Sequence, residues 1–133
     1  MKKIILFFSL MLVSFSYSSA QSDNLINDET LFDVVEEMPE FPGGTNALYQ
    51  FIATNFHYPD TCRALNVQGK IYVSFIIEKD GSIRECKLLR GVHPALDAEA
   101  IRVVLAMPRW TSGKQNGKPV RVRYNLPIVC KLD

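Results

Sequence analysis

Histidine, cysteine and net charge are all scarce in this chain of 133 residues: two histidines, three cysteines and a formal net charge of +1. Fifteen Lys/Arg against fourteen Asp/Glu leave no strong basic excess, which excludes a general nucleic-acid binder. The length allows one domain, and a 47% hydrophobic share excludes a wholly disordered chain. His57 adjoins Tyr58-Pro59 and His93 precedes Pro94, positions that suit a turn and a helix cap better than a catalytic base. There is no Ser-x-Gly elbow, no paired His/Glu helix and no Gly-rich phosphate loop. Cys62, Cys86 and Cys130 lack C-x-x-C spacing. The sequence therefore predicts no catalytic residue, no metal site and no cofactor, and points to a binding protein rather than an enzyme.

A hydrophobic run long enough to span a bilayer is also missing. The strongly apolar stretch Ile4 to Phe15 has 12 residues, and Ile4 to Ala20 has 17, against the roughly 20 that a membrane helix needs. Lys2 and Lys3 precede it, and Ser18 and Ala20 stand where a signal peptidase reads, with Gln21 next. This is the pattern of a cleaved secretory signal, residues 1–20, and implies export from the cytoplasm. An uncleaved membrane anchor is the alternative. No cysteine adjoins the cut, which argues against a lipoprotein. An odd number of cysteines in an oxidising compartment leaves at least one unpaired within the monomer.

The even charge total hides a division. From Gln21 to Gly44 there are seven acids and no Lys or Arg, whereas Thr45 to Asp133 carries thirteen bases and seven acids. The sequence thus reads as an acidic linker arm, residues 21–44, before a moderately basic domain, residues 45–133. The arm is either a solubilising spacer or a segment that lies on the body and competes with a partner there. Leu31-Phe32-Asp33-Val34-Val35 is its one strand-like run.

Within the body, Gly43-Gly44 breaks the chain, Thr45 is placed to cap a helix, and Leu48, Phe51 and Ile52 recur at helical spacing up to Pro59. A short helical turn spans Thr61 to Leu65. From Gly69, alternation of Ile71, Val73, Phe75 and Ile77 predicts a strand, and Lys79-Asp80-Gly81 a hairpin. The second strand carries Ile83, Cys86 and Leu88, whose uneven spacing implies a bulge near Arg84-Glu85. Leu96, Ala100, Val103, Val104 and Met107 form the stripe of a helix that opens at Pro94 and stops at Pro108. Arg109 to Lys118 reads as a loop. Val120 to Leu132 alternates as a last strand, with Pro127 marking it as an edge or the end of pairing. The predicted fold is α+β in the order α-β-β-α-β, a three-stranded antiparallel sheet with two helices on one face. Tyr72 and Ile76 fall on the other face, as a second contact patch or as residues that the arm covers.

Several segments resemble the C-terminal domain of TonB: Tyr58-Pro59, Asn66 to Phe75, Lys79 to Ile83, Leu96 to Ala100, Met107-Pro108-Arg109-Trp110 and Asn116 to Val120. Met38 to Gly44 resembles the lead-in of one branch of that family. The resemblance implies a periplasmic module of the Gram-negative envelope that grips the TonB box of outer-membrane transporters in energy-coupled transmembrane transport. It places the partner strand on an exposed sheet edge, where an extended peptide satisfies unpaired backbone groups. The partner-binding residues it implies are Tyr58, Pro59, Val120, Arg121, Val122, Arg123, Tyr124 and Asn125. It also implies a strand order that separates Cys86 from Cys130 by a strand, too far for a disulfide.

The chain departs from TonB proper in its cleavable apolar segment and its short arm, which holds only Pro39 and Pro42. Ser112-Gly113 replaces the usual Pro-Ala after Trp110. An uncleaved N-terminus would allow contact with the inner-membrane motor proteins. A cleaved one makes the chain a soluble periplasmic adaptor or decoy that binds envelope proteins without transducing energy.

Overall fold

The computed structural model describes residues 29–132. The elements below all belong to the compact unit Leu31–Asp133. The signal segment and residues 21–28 of the arm lie outside the described residues. Element order is β1 (Leu31–Phe32), α1 (Thr45–Asn55), α2 (Asp60–Ala64), β2 (Gly69–Ile77), β3 (Ile83–Arg90), α3 (Pro94–Leu105), β4 (Gly113–Gln115) and β5 (Lys118–Cys130). None of these helices is long and apolar enough to cross a membrane.

The α+β architecture agrees with the sequence reading, with a larger strand count. The sheet order is β1-β5-β2-β3, and β4 pairs with β5 as a hairpin. Strands β3, β2 and β5 are the three expected. β1 and β4 are additions of two and three residues, too short to leave a periodic signature. β5 runs antiparallel to β2 without a break, from Gly69↔Cys130 to Ile77↔Val122. β1 lies parallel to β5 on its other side, Leu31 opposite Arg121 and Phe32 opposite Val122. The expected bulge in β3 is present: the register with β2 shifts between Ser74 and Ile76, and Glu85 takes φ 48. The order also puts β2 between Cys86 and Cys130, and all three cysteines are free.

The core lies between the sheet and the helices. Ile71, Val73, Phe75 and Ile77 from β2 meet Leu126 and Ile128 from β5, with Leu48 and Ile52 of α1 and Leu96, Ala100, Val103 and Val104 of α3. Every second residue of a strand shares a face, and so do residues three and four apart on a helix, so these patterns dictate the packing. Local signals set the ends. Pro94 opens α3, and the His93 ring accepts a hydrogen bond from the Ala95 amide at 3.1 Å, the capping role expected of it. At α1 the expectation is corrected. Thr45 is the first helical residue, and the cap is Gly44, which offers no side-chain bond.

The arm is folded onto the body from Leu31 onward. Phe41 is buried in the main core, its ring 5.6 Å from Trp110 in an edge-to-face arrangement and 5.6 Å from Phe51. Glu37 and Glu40 form antiparallel bridges to Lys114 and Thr111. Between β1 and these bridges, the Glu36 amide donates to Gln115 Oε1 and its carboxylate accepts from the Asn116 amide. The chain thus pairs with β5, meets the β4–β5 turn and continues beside β4.

Candidate strand-addition edge

The open edge of the sheet is set by how far β1 reaches. β1 occupies the outer side of β5 at Arg121 and Val122 only. From Arg123 to Cys130, β5 remains paired with β2 on its inner side, and no described strand pairs with its outer side. That leaves a row of outward backbone N–H and C=O groups able to receive an extended chain. Pro127 sits in this stretch opposite Tyr72 without breaking the register, as a proline on an edge strand can.

A groove of about 690 Å³ runs beside the end of this edge, lined by residues of both α1 and β5. Tyr49, Ile52 and Ala53 of α1 form one wall, with Phe56 just beyond the helix. Pro127 to Cys130 form the other, and Tyr58 lies between them. Arg63, Lys70 and Lys131 supply cations at the lining. Tyr49 is 52% exposed and Val129 64%, although both are largely apolar. Tyr58 is held at its hydroxyl and over its ring face. Its hydroxyl donates to the Val67 carbonyl, and the Arg63 guanidinium stands 5.7 Å from the ring centroid. Loss of water around the ring raises the Tyr58 hydroxyl above its ordinary pKa, so the phenol stays neutral.

The residues that the sequence singles out fall into three groups. Val120 pairs with Gly113 of β4. Arg121 and Val122 already have β1 beside them, and Val122 is fully buried. The Arg121 guanidinium is also committed: its Nε donates to Glu78 Oε1 at 2.8 Å and its Nη2 to Glu78 Oε2 at 3.2 Å. Arg123, Tyr124 and Asn125 begin the open stretch. Arg123 Nη1 lies 3.4 Å from Ser74 Oγ. Tyr124 packs its ring on Trp110 at 4.9 Å and on Phe75 at 5.6 Å, so it anchors the strand. Asn125 is exposed. Tyr58 lines the groove, whereas Pro59 caps α2 and faces a separate shallow pocket with His57 and Glu99.

Sequence reasoning missed the wall from Tyr49 to Phe56 and the stretch Ile128 to Lys131. Tyr49 lies off the apolar stripe of α1, so helical periodicity assigns it to solvent. A better signal is the sequence run Phe51 to Tyr58, with three aromatics in eight residues, more than one helix face can bury. The arm's occupation of Arg121 and Val122 agrees with the strand-like reading of Leu31 to Val35, but only Leu31 and Phe32 form strand.

Comparison with known proteins follows the same geometry. No curated protein matches the chain. The solution structure of the Helicobacter pylori TonB C-terminal domain is similar in fold at 22% identity and TM-score 0.51, over 69% of this chain and 87% of that one. A shorter solution structure of the same domain matches 63% of this chain and 88% of its own length, also at 22% identity, with a TM-score of 0.49. The family model for the C-terminal region of the Gram-negative bacterial TonB protein matches residues 54–132, which include Phe56, Tyr58 and the whole of β5 but not Tyr49, Ile52 and Ala53 of the α1 wall. The chain therefore belongs to the family of TonB C-terminal domains.

Proposed function

We propose that the protein is a periplasmic protein-binding module that engages TonB-box segments of outer-membrane TonB-dependent transporters. The bound segment adds as a strand to the outer side of β5 between Arg123 and Cys130. The observation that supports this most directly is the coincidence of that open edge with the groove formed by Tyr49, Phe56 and Tyr58. Backbone pairing gives a grip that tolerates sequence variation. The groove accepts the aliphatic side chains that alternate toward the helices, and Arg63, Lys70 and Lys131 favour carboxylates on the incoming chain. Binding without bond making or breaking needs no catalytic group.

Titrating a synthetic peptide that has an acidic residue and threonine before a few aliphatics, with amide shifts as readout, tests the reading. The shifts should concentrate at Arg123 to Cys130 and at Tyr49. Arg123→Glu should weaken binding, and more so at low salt, because a partly exposed charge acts over a longer screening length there. Shifts confined to β3, the other edge of the sheet, would overturn the proposal. Unchanged affinity of Arg123→Glu at low salt would remove that arginine from the site.

A further inference from the structure

The basic excess of the body is concentrated on one face of the sheet. Residues paired across β2 and β5 point to the same side. Ile71/Ile128, Val73/Leu126 and Phe75/Tyr124 point toward the helices, so Lys70/Val129, Tyr72/Pro127, Ser74/Asn125 and Ile76/Arg123 point away from them. On β3, Arg90, Lys87 and Arg84 stand opposite Tyr72, Ser74 and Ile76. Arg121, two residues before Arg123, shares this side, as does Glu78 after Ile77.

Six of the thirteen Lys/Arg between Thr45 and Asp133 therefore lie on the helix-free face, with one acid, Glu78. Glu78 is already bound by Arg121 at 2.8 Å, with Arg84 at 3.9 Å. Everything else between Thr45 and Asp133 holds seven bases and six acids, close to neutral. Lys70, Arg84, Lys87 and Arg90 are exposed. Ser74 and Ile76 on the same face are buried, and Arg123 Nη1 lies 3.4 Å from Ser74 Oγ, so the accessible surface here is carried by the cations around them.

We propose that this face is a docking surface for anionic phospholipid headgroups. The cations are spread in two dimensions over three adjacent strands, which are roughly 4.8 Å apart. A single extended acidic peptide would meet one row of them, whereas a sheet of headgroups meets all. Val129 and Leu89, 64% and 53% exposed, stand beside these cations, and bases mixed with apolar side chains suit a bilayer interface. The open edge of β5 borders the same face, so a chain paired there lies next to the bilayer. Only that last point rests on the proposed function, and lipid binding is measured without a transporter.

The full chain should co-sediment with phosphatidylcholine vesicles that contain a minority of phosphatidylglycerol, and not with pure phosphatidylcholine vesicles. Added salt should release it. The triple variant Arg84→Glu, Lys87→Glu, Arg90→Glu should lose at least about 100-fold in vesicle affinity, since each base near an anionic surface contributes roughly fivefold. These side chains are exposed, and an unchanged melting temperature would show that the fold persists. The control Arg109→Glu, Lys114→Glu, Lys118→Glu makes the same charge change off the face and should retain most of the binding. Equal loss in both triples, or no preference of the unmodified protein for the anionic vesicles, overturns the proposal. Binding to polyglutamate but not to vesicles would assign the face to an acidic protein and also overturn it. Peptide binding at β5 should survive the β3 triple. Failure of the unmodified chain to bind the peptide while it binds the anionic vesicles would instead count against the proposed function.

Discussion

Gly81 shows how one residue joins the two ends of the fold. It takes φ +86 in the β2–β3 turn, and a Cβ built there would lie 1.9 Å from the Trp110 carbonyl oxygen. The Gly81 carbonyl in turn accepts from the Trp110 amide at 2.9 Å. Gly81→Ala must shift either the turn or the segment that carries Trp110, and Trp110 holds Phe41, Phe75 and Tyr124 together. A loss of about 2–4 kcal/mol is expected in denaturant unfolding, from strain at positive φ plus the displaced core. The Asp80-Gly81 turn was legible in the sequence, but the contact to Trp110 was not, because it joins residues 29 positions apart. A second residue-scale expectation concerns alkaline pH. Burial raises the pKa of Cys130 to about 11, with Asp97 and Cys62 adding to the shift, and burial also raises Cys86, Tyr58 and Tyr124. In each case the native state holds its proton to higher pH than the unfolded chain. The stability this gives is complete below the unfolded values and declines as pH rises toward the folded ones. For Cys130 that window runs from the ordinary 9.0 to about 11. Melting temperature should therefore fall across this window, and Cys130→Ala should make the fall shallower. An unchanged slope would show that this thiol does not contribute.

Among the elements, β1 is the smallest and has the largest bearing on the site. Two residues on the outer side of β5 determine whether a partner meets the edge from Arg121 or only from Arg123. Phe32→Pro removes one N–H and restricts the backbone, so it should free β1 while Phe41 keeps the rest of the arm in the core. Amide exchange should then speed up at Leu31, Arg121 and Val122 and stay slow across β2. The freed edge adds two residues to the pairing register. With each net hydrogen bond worth about 1 kcal/mol, affinity for an external peptide should rise roughly 5- to 30-fold. Equal affinity in both proteins would show that the partner never reaches beyond Arg123. The sequence made the three long strands and both long helices readable because each buries a periodic face. It made Leu31 to Val35 readable as strand-like from its β-branched and aromatic content, but not its length. Pairing stops after Phe32, as the chain turns to bring Glu36 to the β4–β5 turn. Contacts of that kind depend on a side chain and a distant backbone amide, which leave no local pattern. The groove was illegible for a related reason, since its walls come from α1 and the far end of β5.

At the scale of the whole molecule, what matters is how the body is tethered. The expected cleavage after Ala20 leaves ten residues, Gln21 to Thr30, before β1. Ten residues reach at most roughly 35 Å when fully extended. An N-terminus retained as an anchor would therefore hold the body within that distance of the inner membrane while β1 stays paired. Freeing the chain as far as Gly44 would give 24 residues and a reach of at most roughly 80 Å. A strand-addition edge transmits force only if the far end is held, so under the proposed function the fate of residues 1–20 decides between an energy transducer and a binding adaptor. The two cases differ in how membrane-bound protein is released. On the proposed lipid contact, a cleaved protein would touch membranes through Lys70, Arg84, Lys87, Arg90 and their neighbours, an interaction that salt screens. An inserted apolar segment is held by burial, which salt does not weaken. High-salt washing of the envelope fraction, followed by determination of the N-terminus, is expected to release a form that begins at Gln21. Retention through the wash with Met1 intact would identify an anchor, and the chain would then be able to pull on the peptide it binds.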